Sequence, residues 1–241
     1  MSSESQSGLG SRLLSSKDLI TLILTYALYS PILDIIKIAV YQPFVAAVEA
    51  AMVPYDKAKE AHDQLDNGVE IVFDNIVDIA RSIRNVLIEL YGNESGEYAD
   101  YNEILDILTG DNVTKNSYKR KHSGKETLPG EDFQSVAQLD RGSKLRNFAL
   151  LIAALEDNSK YLPPKTELKV VNLKLLYTDA SAKNDALITA YGIYIKERGK
   201  VLPMFDGIDG LAVRAARAKA HVSYMYGPHS AELKALTGKT Y

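Results

Sequence analysis

The feature that most constrains this chain is an apolar stripe. Ile71, Val72, Ile76, Ile79, Ile83, Val86, Leu87 and Leu90 recur at spacings of three and four. That period puts them on one side of an α-helix, whereas a strand would scatter them over both faces. Tyr91-Gly92 ends the stripe, with Gly92 as the residue just past the helix. Ser95 then caps a short helix carrying Tyr98, Tyr101, Ile104, Leu105 and Leu108. The period returns in Leu145, Phe148, Leu151, Ile152 and Leu155, and near heptad spacing in Leu173, Leu176, Ala180, Leu187, Ala190 and Tyr194. No stretch sustains period-two alternation, so the chain reads as all-α.

Punctuation sets the boundaries. Met1 to Ser16 is Ser- and Gly-rich and reads as a disordered tail, with Ser16 as the N-cap of a first helix that stops before Pro31. A second helix is expected from near Pro31 towards Leu65, kinked at Pro43, with Asn67-Gly68 as its weak point. Tyr161-Leu162-Pro163-Pro164 is a turn, Thr166 the cap of the next helix and Pro203 its end. Asp206 to Gly210 is a junction, and a further helix runs from Leu211 to Tyr226. Gly227-Pro228 stops it and Ser230 caps a terminal turn. The stretch 109–139 is polar, and basic at Lys115, Lys119, Arg120, Lys121 and Lys125, which reads as an exposed linker. The expected organisation is therefore a tail (1–16), a helical hairpin (17–108), a linker (109–139) and a second hairpin (140–241). The two hairpins would pack as one elongated antiparallel bundle.

The hairpins share an internal repeat. Phe73-Asp74-Asn75-Ile76 leads through a helix to Tyr91-Gly92 and Ser95, and Phe205-Asp206-Gly207-Ile208 leads likewise to Tyr226-Gly227 and Ser230. An acid follows each serine, at Glu97 and Glu232. Tyr91, Gly92, Ser95, Tyr226, Gly227 and Ser230 are read as a structural stop-and-recap device.

The second half carries Asn147-Phe148 through Leu155, Tyr161-Leu162-Pro163-Pro164, Glu167-Leu168-Lys169-Val170, Asn184, Arg198, Leu211 and the ending Met225-Tyr226-Gly227-Pro228-His229-Ser230-Ala231-Glu232. In these residues it resembles a group of uncharacterised bacterial all-helical proteins. Members of that group carry Asp or Thr where this chain has His229, and a more basic tail. The resemblance implies a helical bundle and no activity.

Composition removes several chemistries. There is no Cys, which excludes a disulfide scaffold, a thiolate zinc site and a cysteine nucleophile. The histidines are His62, His122, His221 and His229, and no two have the i,i+4 spacing of a helical metal site. The Asp206-Gly-Ile-Asp209-Gly segment lacks the remaining ligands of a calcium loop. No phosphate-binding loop, nucleophile elbow or dinucleotide fingerprint occurs. No metal, cofactor or catalytic residue is therefore expected. A net charge of -3 argues against a dedicated nucleic-acid binder.

Tyrosine is the abundant aromatic, with 15 residues against five Phe and no Trp. It buries a ring while keeping a hydroxyl wet, which suits a bundle boundary or an interface. Tyr26, Tyr29, Tyr41, Tyr98 and Tyr101 are the candidate interface residues. The function expected is that of a non-enzymatic structural or protein-interaction protein, associating with itself or another protein through helix faces. The alternative is a membrane-active, pore-forming-like protein using the apolar 19–53 segment, and the third reading is an enzyme of unknown type. With no signal peptide visible at the start, a soluble cytoplasmic protein is expected.

Overall fold

The computed structural model of the chain describes residues 4–110 and 140–237. The expected linker lies, from residue 111 onward, outside the described residues. Among those described there is no strand, and the protein is all-helical: α1 (Glu4–Ile23), α2 (Ile38–Tyr91), α3 (Gly96–Thr109), α4 (Arg141–Glu156), α5 (Val170–Asp206), α6 (Leu211–Tyr226) and α7 (Ala231–Leu236). Short 3-10 turns at Asp34–Ile36 and Thr166–Leu168 precede α2 and α5.

Several boundaries differ from the sequence reading: α2, expected from near Pro31, begins at Ile38, after the 3-10 turn. The first helix starts at Glu4, inside the expected tail, rather than after Ser16. Leu9, Leu19, Ile20 and Ile23 are all buried, so the helix earns its length by packing. Ser16 does not cap it; its hydroxyl donates to the Arg12 carbonyl one turn back, which satisfies a buried serine inside a helix. Helix α2 runs unbroken through Pro43, Pro54 and Gly68. An interior proline costs about 3 kcal/mol; buried Tyr41, Val45, Val48, Met52 and Tyr55 flank these two and outweigh it. Helix α5 likewise passes Pro203 and ends at Asp206. There the Gly207 N–H donates to the Pro203 carbonyl, and a Cβ on Gly207 would sit 2.3 Å from that oxygen. Finally, Thr166 opens a 3-10 turn instead of capping α5 through its side chain.

The chain divides into two compact units that do not coincide with its two halves. The first unit comprises residues 1–62 and 190–241, the second residues 63–189, so α2 and α5 each contribute to both. The first has a core of Leu19, Ile23, Tyr41, Val48, Phe205, Leu211 and Val222. In the second the core is built on Ile76, Ile83, Leu87, Leu105, Phe148, Leu151 and Leu173. Inside the first unit buried Arg214 ties three elements together. Its guanidinium donates to the Asp209 and Ile35 carbonyls and lies 4.0 Å from the Phe44 ring centroid.

Candidate functional site

Both units enter their central helix through the same set of bonds. The Tyr29 hydroxyl donates to the Ile36 carbonyl at 2.8 Å, and the Tyr161 hydroxyl donates to the Leu168 carbonyl at 2.9 Å. The backbone repeats the correspondence. Tyr29 N–H pairs with Tyr26 O and Tyr161 N–H with Asn158 O. Lys37 N–H pairs with Asp34 O and Lys169 N–H with Thr166 O. Tyr41 N–H pairs with Lys37 O and Leu173 N–H with Lys169 O. Every pair is separated from its counterpart by 132 residues. Pro31 and Pro163 sit two residues after each tyrosine and cannot donate, so the tyrosine hydroxyl closes the turn from the side. Burial raises both hydroxyls out of the ordinary phenol range, Tyr29 to about 12 and Tyr161 further.

The helix exits correspond as well. Gly92 and Gly227 have φ of 78° and 97°, a region that only glycine enters without strain. The Ser95 hydroxyl accepts from the Tyr98 N–H at 3.1 Å, and the Ser230 hydroxyl accepts from the Leu233 N–H at 3.1 Å. Tyr91 and Tyr226 then reach different partners. The Tyr91 hydroxyl donates to Asn158 Oδ1, whereas the Tyr226 hydroxyl accepts from the Leu28 N–H.

Of the candidate interface tyrosines, Tyr41 and Tyr98 are buried within this chain and are not available to a partner. Helix packing gives their rings a dry place, and the Tyr98 hydroxyl is met by Asn102 Oδ1. Tyr26, Tyr29 and Tyr101 are half-buried, with their hydroxyls donated to Glu232 O, Ile36 O and Ala154 O. Four of these five hydroxyls thus bond inside the chain.

Each unit also carries a cleft. In the second, a cleft of about 530 Å³ lies where α3 and the end of α2 meet the turn after α4. The rings of Tyr91 and Tyr101 run nearly parallel on its wall, 12° apart with centroids 6.4 Å apart. Asn158 Oδ1 accepts from both the Tyr91 hydroxyl and the Lys160 N–H. The Lys160 ammonium stands 5.5 Å from the Tyr91 ring centroid. Glu97, Asp100 and Asp157 complete the rim, and among the described residues none of the three enters an ion pair. Burial raises the Tyr101 hydroxyl; the nearby Asn158 amide opposes the rise, and the charges of Asp100 and Asp157 add to it.

The first unit's cleft is about 420 Å³ and mostly apolar, with Pro31, Ile32, Leu33 and Tyr224 on its walls and Arg217 at its edge. His221 lines it edge-on to Tyr29, with centroids 5.2 Å apart and planes at 89°. Burial lowers the His221 pKa, and its buried Nε2 has no hydrogen-bond partner among the described residues.

Sequence reasoning missed Asp100, Asp157, Asn158, Lys160 and His221 as cleft residues. The Tyr161-Pro163 turn marks the neighbourhood of three of them, but nothing in the sequence shows that this turn meets the helix end at Tyr91, far upstream. No cluster of three metal-ligating side chains occurs among the described residues. Comparison with protein-family models, with curated proteins and with solved structures gave no match.

Proposed function

We propose that this chain is a non-enzymatic interaction protein, a tandem duplication of one antiparallel helical unit, that associates with a second copy of itself through helix faces. Duplication is supported by turn bonds that recur 132 residues apart and by stop-and-recap exits that recur 135 residues apart. Self-association rests on one observation, the exposed apolar residues of α5. Val171 and Leu175 are 62% and 64% exposed, and Tyr191 and Ile195 are exposed as well. The members of each pair are four residues apart, so one lies directly above the other on the helix. Single exposed aliphatics are ordinary, whereas paired ones at helical spacing are what a packed partner helix covers. Light scattering on the full chain tests this. The expected result is a lipid-independent oligomer that Leu175→Glu with Ile195→Glu returns to the 26.6 kDa monomer. A wild-type monomer at high concentration refutes it.

A second reading has its own observation. The 19–53 segment exposes Leu24, Leu28, Leu33 and Val53, and Ile32 at 95%. Helix α2 also holds an 18-residue window of mean hydropathy 1.2, only 28% of it buried. Such a segment would enter a membrane as a pore-forming-like protein does. Adding liposomes to the same measurement separates the two, because here the oligomer forms only with lipid.

A further inference from the structure

We infer that the cleft of the second unit binds a small organic ammonium ion, held on the Tyr91–Tyr101 wall and neutralised by Asp100 and Asp157. This is independent of self-association and uses a different surface.

Three features carry it. The aromatic wall is pinned before any ligand arrives, because each ring's hydroxyl is tied down, Tyr91 to Asn158 and Tyr101 to the Ala154 carbonyl. A fixed ring face is a preorganised seat for a cation. The chain already places one cation there, since the Lys160 ammonium stands 5.5 Å from the Tyr91 centroid. The three carboxylates around the same cleft make no ion pair among the described residues and outnumber the one lining cation, Lys160, so the described rim is net negative.

The other unit supplies the control. It builds the same turn and the same exit with Glu232 as the counterpart of Glu97 and a tilted Tyr26–Tyr226 pair, but without the two aspartates and the lysine. Counting by the recurring bonds, Thr25 stands in place of Asp157, Tyr26 in place of Asn158 and Leu28 in place of Lys160. Ala235 and Leu236 stand in place of Asp100 and Tyr101. Turn, cap and glycine exit therefore form without the charges, and the scaffold does not need them. What the second unit adds is a nearly parallel Tyr91–Tyr101 pair beside Asp100 and Asp157 on an open cleft, and aromatic faces with nearby carboxylates are the chemistry that recognises alkylated ammonium groups.

The test is titration of the full chain with tetramethylammonium chloride at constant ionic strength, followed by saturation-transfer NMR. Saturable binding is expected, with none for the neutral isostere neopentyl alcohol. Tyr101→Leu installs what the first unit carries at Leu236 and should weaken binding about two- to fivefold, whereas Tyr101→Phe, which keeps the ring and loses only its tie to Ala154, should weaken it less. Asp100→Asn with Asp157→Asn should weaken it about tenfold, and these exposed side chains can be changed without touching the core. Where Tyr101→Leu lowers the melting temperature, the aspartate pair alone decides. Phosphatidylcholine vesicles present the same group on a lipid: cosedimentation that tetramethylammonium competes away assigns a lipid source, and its absence assigns a free ion. No saturable binding, or binding that survives the aspartate pair, overturns the inference.

Discussion

Replacing Tyr161 or Tyr29 by Phe removes one hydroxyl and leaves the ring in place, so it isolates the bond that closes each turn. In both turns the accepting carbonyl belongs to a buried residue, Leu168 or Ile36. Losing the bond forfeits about 1 kcal/mol, and leaving a buried acceptor unpaired adds up to about 2 kcal/mol more. The Tyr161 bond is buried whereas the Tyr29 bond is partly exposed to water. Tyr161→Phe should therefore cost about 2 kcal/mol and Tyr29→Phe about 1 kcal/mol. The same hydroxyls make stability fall in alkali. Folded Tyr29 is pushed up to about 12, while an unfolded tyrosine ionises near 10. A raised folded pKa contributes stability that is complete below about pH 10 and is lost as pH rises towards about 12. Partial solvent access holds the Tyr29 share to about 1–2 kcal/mol. Urea unfolding followed by circular dichroism at about pH 8 and about pH 11 measures both effects. Each variant should be less stable than wild type at the lower pH, with the gap narrowing at the higher. If Tyr161→Phe matches wild type at the lower pH, or the double variant loses as much stability in alkali as wild type, the closing-bond reasoning is wrong.

Other consequences are equally direct. Gly92→Ala should cost about 1 kcal/mol and Gly227→Ala about 2 kcal/mol, because φ at Gly227 is 97° with ψ at 156°, outside even the left-handed helical region; thermal melts read both. Ser95→Ala and Ser230→Ala should each cost about 1 kcal/mol from the lost cap and leave assembly intact. Arg84 is bonded to buried Asp106 at 2.8 Å and to Thr109, so Arg84→Met should cost about 3 kcal/mol and Arg84→Met with Asp106→Asn less, as a double-mutant cycle in urea would show. Each compact unit takes segments from both halves of the chain, so a 1–110 fragment should unfold without cooperativity until a 140–241 fragment is added.

What the sequence reveals here is mostly local. Helix ends at Tyr91, Gly92, Leu211 and Tyr226 follow from period and glycine position, because a left-handed residue after an apolar stripe has few other uses. The continuity of α2 and α5 through three prolines does not follow. A proline's penalty is paid within one turn, while the burial that outweighs it comes from residues distant in the chain. Ser16 misleads for a related reason, since its hydroxyl serves an N-cap and an i−4 bond equally well, and only the burial of Leu9 decides. The corresponding entry turns share only Tyr29-x-Pro31 with Tyr161-x-Pro163 and Lys37 with Lys169, because most of their bonds are backbone bonds that leave no mark on residue type. The second unit's cleft was not legible either, since α4 and α3 must pack before Asp157 and Tyr101 share a wall.

The turn also leaves room for two different surfaces. Its closing bond uses a hydroxyl, a carbonyl and the buried side chain at Ile36 or Leu168, and its proline needs only a fixed φ. Three of the positions between them face outward, whereas Ile35 packs against the core. In the first unit they are Ser30, Ile32 and Leu33, and the neighbouring Ala27 and Leu28 are apolar too. The second has Leu162, Pro164 and Lys165 there, next to Ser159 and Lys160. Substitution at such positions changes the surface at little cost in stability, because surface changes away from caps and packed side chains are usually worth less than about 0.5 kcal/mol. Exposed Ile32 and Tyr224 beside an apolar cleft, and Asp157 with Lys160 beside an aromatic one, are thus independent outcomes of the same closing bond. A ligand or partner selective for one unit would be selected by these outward positions, and the tyrosine bond beneath them would hold either lining in place.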